Sequence, residues 1–190
     1  SKQWAARIRT APLTWSETTH ALRTTILKKL EYVLPVTTLT EEECALVMRP
    51  LLHASLPKAG YNRNCPRQVL YGSPSLLGTG IHDLHTTQII EHLALVSQHG
   101  PLTTLTGQLI QGTMEAAKLE LGLKGKLLSL DYPVFEHLLT DSWIKVLWHD
   151  CWKYSITVNK TTLDLQLVCL DDHCLMNSFV SAGYNSTSLL

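Results

Sequence analysis

Residues 40–80 read TEEECALVMRPLLHASLPKAGYNRNCPRQVLYGSPSLLGTG, and the change of character along this stretch decides the reading of the chain. Thr40 with Glu43 three residues later is a capping box, and Glu41 and Glu42 add negative charge where the helix dipole favours it. Cys44, Val47, Met48, Leu51 and Leu52 then share one helical face. Pro50 deletes a backbone donor inside that run, so a kink or a break is expected there. Beyond it Pro57, Gly60, Pro66, Gly72, Pro74, Gly78 and Gly80 punctuate the chain, leaving room only for a short helix over 67–71 begun by Pro66.

Helical patterns flank this stretch on both sides. Trp4 and Ile8 are four apart, which predicts a short helix with Arg7 and Arg9 exposed, ended by Pro12. Thr14 and Glu17 form another capping box, after which Trp15, Leu22, Ile26, Leu30 and Val33 line one face of a longer helix that Pro35 ends. Downstream, a helix from about Asp83 or Thr86 runs to His99 before Gly100-Pro101, and another from about Thr103 to Leu121, with Leu105, Leu109, Ile110, Met114 and Ala117 inward, stops at Gly122. Trp143, Leu147, Trp148, Cys151 and Trp152 leave the helix over about 140–154 little polar surface, so it is expected to be the most buried. Residues 155–158 and 163–167 alternate apolar and polar around an Asn-Lys turn, which predicts a hairpin, and a last helix is expected over about 171–182. The fold class is therefore mainly α, an irregular bundle of about seven helices with one small β-hairpin near 155–168. Residues 1–80 form a basic helical segment with a Pro/Gly-rich loop, and residues 81–190 a helical module carrying the hairpin.

Net charge is zero, but its distribution is not even. Residues 1–70 hold ten of the sixteen Lys and Arg against five acids, and residues 71–190 hold the other six against eleven acids. A basic half of this kind suits a polyanionic partner. The five cysteines are odd in number and scattered, which points to a reducing compartment with inert thiols. No apolar run approaches the roughly 18 to 20 residues needed to cross a bilayer, so no membrane partner is expected and an intracellular location, cytoplasmic or nuclear, follows. The sequons at Asn159 and Asn185 are then chance matches, and the opening at Ser1 suggests a piece of a longer polypeptide.

Several clusters carry chemistry-bearing side chains but have plainer roles. Cys169, Asp171, Asp172, His173 and Cys174 crowd together, but structural zinc needs four convergent ligands and no second pair lies nearby, so the aspartates read as a helix N-terminus. Leu170-Asp171-Asp172 mimics part of a polymerase metal motif yet lacks its strand-turn-strand setting. A hydrolytic site would have to join His82, Asp83 and His85 to His149 and Asp150, which read more simply as cap and surface residues. No phosphate loop, nucleophile elbow or dinucleotide fingerprint occurs, so no catalytic residue, no small-molecule substrate and no metal ligand is assigned. The basic loop has the better claim, since Arg49, Lys58, Arg63 and Arg67 can neutralise phosphates while Tyr61 and Asn62 reach sugars or stack.

The segment from Leu27 to Gly100 resembles the region downstream of the polymerase palm in reverse transcriptases of non-LTR-type retroelements. The resemblance is carried by Leu30-Glu31-Tyr32, the Leu56 to Gly60 block, Asn62-Arg63 and Tyr71-Gly72, with further similar blocks at 140–145 and 171–184. It implies that this chain is a non-catalytic thumb and connecting module of an RNA-directed DNA polymerase. The module's partners would be an RNA-DNA or DNA duplex and the palm of the same polypeptide, with Mg2+ needed only in that palm. Combined with the charge distribution, it makes Arg7, Arg9, Arg23, Lys28, Arg49, Lys58, Tyr61, Asn62, Arg63 and Arg67 the candidate nucleic-acid contacts. A helical protein-protein interaction module derived from a retroelement is the alternative, and would use the tryptophan-rich second half.

Overall fold

The computed structural model describes residues 1–73 and 78–158. These residues are mainly helical, with no strand among them. The chain divides into two compact units, Ser1–Glu91 and His92–Leu190.

In the first unit α1 (Lys2–Thr10) presents Ala5 and Ile8 to the core and packs against α4 (Glu41–Lys58). Between them lie α2 (Trp15–His20), a π-helical segment (Ala21–Leu27) and α3 (Lys28–Glu31). Thr14 closes the expected capping box with Glu17, and Leu22 and Ile26 are buried as their spacing predicts. Trp15 and Val33 were expected on that same face but are exposed. The wider π turn shifts the register of the stripe, and the hydroxyls of Thr19 and Thr24 donate to carbonyls four residues back, competing with the regular helical pattern.

The capping box at Thr40 and Glu43 also forms, and of the kink or break expected at Pro50 the break does not occur. α4 runs as one helix through Pro50 and Pro57. The acceptor that Pro50 leaves without its helical donor belongs to Leu46, a residue 62% exposed on the outer face of α4. Burial of Met48 and Leu51 on the opposite face, each at about 1.5 to 3 kcal/mol, holds the helix against the core. Gly60, at φ 77°, ends α4: its own N–H donates to Pro57 and that of Tyr61 reaches back to Leu56, a Schellman closure. α5 (Arg67–Tyr71) starts after Pro66, as expected. The Gln88 side chain, fully buried in α6 (Leu84–His99), both donates to and accepts from the Leu39 backbone at 2.9 Å, tying the approach to α4 onto α6.

The second unit contains α7 (Leu105–Leu121), α8 (Tyr132–Phe135) and α9 (Trp143–Lys153). α7 buries Ile110, Met114 and Ala117 as predicted and ends at Gly122 in the left-handed conformation. Leu105 and Leu109, expected inward, are 73% and 63% exposed, because the buried face is set by Gly107, Ile110, Gln111 and Met114 instead. Trp148 is fully buried, donates through Nε1 to the Leu130 carbonyl at 3.0 Å and meets Tyr132 edge-on. α9 is nonetheless amphipathic, with Trp152 48% exposed.

The expected hairpin is not seen in its first arm. The Tyr154, Ser155 and Ile156 N–H groups close the end of α9 on Asp150, Trp152 and Cys151, with Ser155 at φ 53°, so these residues serve as a helix cap rather than a strand. The second arm at 163–167, the helix expected over 171–182 and the cluster of Cys169, Asp171, Asp172, His173 and Cys174 lie outside the described residues. No helix among the described residues is long and apolar enough to cross a membrane.

Candidate functional site

The basic loop builds a concavity of about 220 Å3 on the first unit. Arg49 comes from the middle of α4, Arg63 from the turn after it and Arg67 from the first position of α5. That turn is made locally: the Asn62 side chain accepts from the Asn64 N–H at 2.9 Å, and the Cys65 N–H returns to the Asn62 carbonyl at 3.0 Å. Arg63 is thereby projected outward between two asparagines, and all three arginines are exposed.

His53, Asn64, Tyr71, Glu41 and Asp83 share the wall. Asp83 is committed elsewhere through Oδ2, which accepts from the Thr86 N–H and hydroxyl at 2.9 Å and so caps α6. Burial, with Asp83 adding to it, raises the Tyr71 phenol, which remains a neutral hydrogen-bonding group at neutral pH.

The other candidates are placed differently. Lys58 donates to the Ala11 carbonyl, so its ammonium secures α4 to the chain between α1 and α2. Lys28 pairs with Glu31 at 2.6 Å, and the other Glu31 oxygen meets His82 at 3.0 Å. Burial works to raise the Glu31 carboxyl, but the hydrogen bonds from Lys28 and His82 outweigh it and hold it below the ordinary carboxylate range. Arg7 and Arg9 are exposed on α1, where Arg7 lies 5.8 Å from the Trp4 ring centroid. Asn62 is used by its own turn rather than turned toward a ligand.

Arg23 and Tyr61 line a second cavity, of about 240 Å3, with Trp15 and Thr18. The Thr18 hydroxyl is buried without a hydrogen-bond partner, whereas Thr19, Ser55 and Thr79, which line the same cavity, donate to backbone carbonyls. Sequence reasoning had no route to Thr18, because a threonine inside a helix gives no sign of which hydroxyl finds a carbonyl. It also missed Lys29, whose ammonium lies 5.0 Å from the Trp4 ring centroid, although a Lys-Lys pair before Leu-Glu-Tyr was visible.

Asp83, His82, His149 and Asp150 are engaged in local structure rather than joined in a hydrolytic site. Asp83 caps α6, His82 pairs with Glu31, and His149 meets Asp150 at 3.3 Å. Among the described residues no group of three or more His, Cys, Asp or Glu is placed to hold a metal ion. Comparison of the chain with family models, curated proteins and solved structures finds no match.

Proposed function

We propose that the unit Ser1–Glu91 holds a nucleic-acid duplex by its phosphate backbone, as expected of the thumb of a retroelement reverse transcriptase, and performs no chemistry itself. The observation that carries this reading is the convergence of Arg49, Arg63 and Arg67, from three separate elements, on one concavity. The positive excess of residues 1–70 and the resemblance of 27–100 to the segment after a polymerase palm support it. Exposed Arg7 and Arg9 on α1 extend the same contact as backbone-positioning charges. The reading carries with it an intracellular setting and a bundle-like packing of the helices.

The test is binding of the purified chain to an RNA-DNA heteroduplex over a salt series, beside a variant with Arg49, Arg63 and Arg67 changed to Ala. Each phosphate neutralised contributes about 0.9 to the slope of log affinity on log salt for B-form duplex, so the triple variant is expected to lose about 0.9 of that slope where the three arginines share one phosphate and up to about 2.7 where each holds its own. Lys58→Met, which removes an ammonium that is tethered to the Ala11 carbonyl and does not line the arginine concavity, is expected to change the slope less than the triple variant does. An unchanged slope in the triple variant, or no binding at low salt, removes the reading.

One feature favours a protein-binding role for the second unit. Leu105, Leu109, Gly112, Ala116 and Leu119 are exposed along α7 at alternating spacings of four and three, the pattern of a seam for another helix. Association through this seam would be insensitive to salt and weakened by Leu109→Glu, measured by sedimentation.

A further inference from the structure

We propose that the concavity bounded by Arg49, Arg63 and Arg67 takes a phosphomonoester, the terminal phosphate of a nucleic-acid strand, in preference to an internal phosphodiester. This rests on the duplex reading and names which phosphate the site holds. The space of about 220 Å3 takes one compact group, and beside it Arg49 and Arg67 also border a wider concavity of about 790 Å3 with Thr40, Glu42 and Leu46.

Charge and geometry favour the same choice. A phosphomonoester carries about −1.5 to −2 charge near neutral pH and presents three free oxygens, against one charge and two free oxygens for the diester. Three guanidinium forks supply planar pairs of donors that fit such oxygens bidentately, which a lysine cannot do. Glu41 and Asp83 in the same wall leave the arginines one positive charge ahead. Retention in this setting depends on the paired donor geometry and on the ligand's second charge, not on a broad positive field. An exposed stripe of lysines would have the opposite preference, for any polyanion.

Two heteroduplexes identical except for a 5′-phosphate or a 5′-hydroxyl distinguish these cases when titrated against the full chain by fluorescence anisotropy. The phosphorylated duplex is expected to bind about ten-fold tighter, the equivalent of one net charge-assisted hydrogen bond. Arg63→Ala and Arg67→Ala each erase most of that difference, and Arg67→Lys, which keeps the charge and loses the fork, erases part of it. Arg9→Ala weakens both duplexes and leaves their ratio unchanged. Inorganic phosphate at millimolar concentration removes the advantage of the phosphorylated duplex without displacing the unphosphorylated one. Equal binding of the two duplexes, with a salt slope that still depends on the arginines, overturns the terminal-phosphate site and leaves the duplex reading standing. Failure of both duplexes to bind overturns both. A ratio unmoved by Arg63→Ala and Arg67→Ala overturns the placement, and tighter binding of a phosphoserine peptide than of the phosphorylated duplex overturns the nucleic-acid assignment.

Discussion

Two glycines on α7 should respond in opposite directions to the same substitution. A Cβ built on Gly107 would lie 2.1 Å from the Leu102 carbonyl oxygen and 2.6 Å from that of His99. Both atoms are backbone, in the turn that joins α6 to α7, and neither can swing away as the end of a side chain would. Overpacking of this kind costs about 1 to 3 kcal/mol, and contact with backbone puts it at the upper end. Replacing glycine by alanine inside a helix returns about 0.8 to 1 kcal/mol, so Gly107→Ala should destabilise by about 2 kcal/mol net. Gly112, five residues on, meets nothing within 4 Å, so Gly112→Ala should keep the whole propensity gain of about 1 kcal/mol. For a unit of this size about 4 to 8 °C of melting temperature accompanies each kcal/mol, so thermal melts followed by circular dichroism should separate the variants by more than 10 °C. Gly107→Ala melting with or above the parent protein would falsify the close approach of the α6–α7 turn to α7.

The Glu31 carboxyl, held low in the folded chain by Lys28 and His82, should stabilise fully above its unfolded pKa of about 4.3 and lose that contribution as pH falls through the lower folded value. The gap in urea midpoint between the parent and Glu31→Gln should therefore narrow from about pH 7 to about pH 3, and a gap that widens on acidification contradicts the ion-pair geometry. Burial pushes the Cys44 and Cys151 thiols up to about 11, so iodoacetamide at pH 8 should label half-buried Cys65, at the arginine concavity, well before either. Peptide mapping reads this directly, and early labelling of Cys151 in the native chain counts against its burial. Thr18→Val keeps the branched shape and deletes an unpartnered buried hydroxyl, so it should raise stability by about 1 kcal/mol in urea unfolding. A loss of that size would mean that the hydroxyl has a partner in solution.

What could be read from the sequence was whatever short-range chemistry decides. The capping boxes at Thr14 and Thr40 formed, and Gly122 and the Pro66 start of α5 fell where expected, because each depends on residues within one turn. The errors lie where a neighbour outside the local window decides. Pro50 breaks an isolated helix, but here the lost donor faced an exposed position while the opposite face was buried in the core. Leu105 and Leu109 have the right spacing for a buried stripe, yet Gly107 admits the α6–α7 turn so closely that the inward face is rotated away from them. The strand reading of 155–158 failed for want of a glycine: a left-handed serine closes α9, and serine gives no warning of that conformation.

The candidate site divides the same way. Charge counting marked the first seventy residues as basic but could not separate a lysine that reaches solvent from one that closes onto a carbonyl, so Lys58 stood beside Arg63 as an equal. What separates them is the path of the backbone. Gly60 turns the chain at the end of α4, Asn62 holds the next turn with its own side chain, and Pro66 starts α5. Those three residues return Arg63 and Arg67 to the flank of the helix that carries Arg49, while the Thr79 and Ile81 N–H groups, donating to Val69 and Leu70, hold α5 from the other side. The residues that make the concavity are therefore mostly uncharged. A substitution such as Gly60→Val, which forces a branched side chain toward a positive φ, should disperse the arginines without removing one of them.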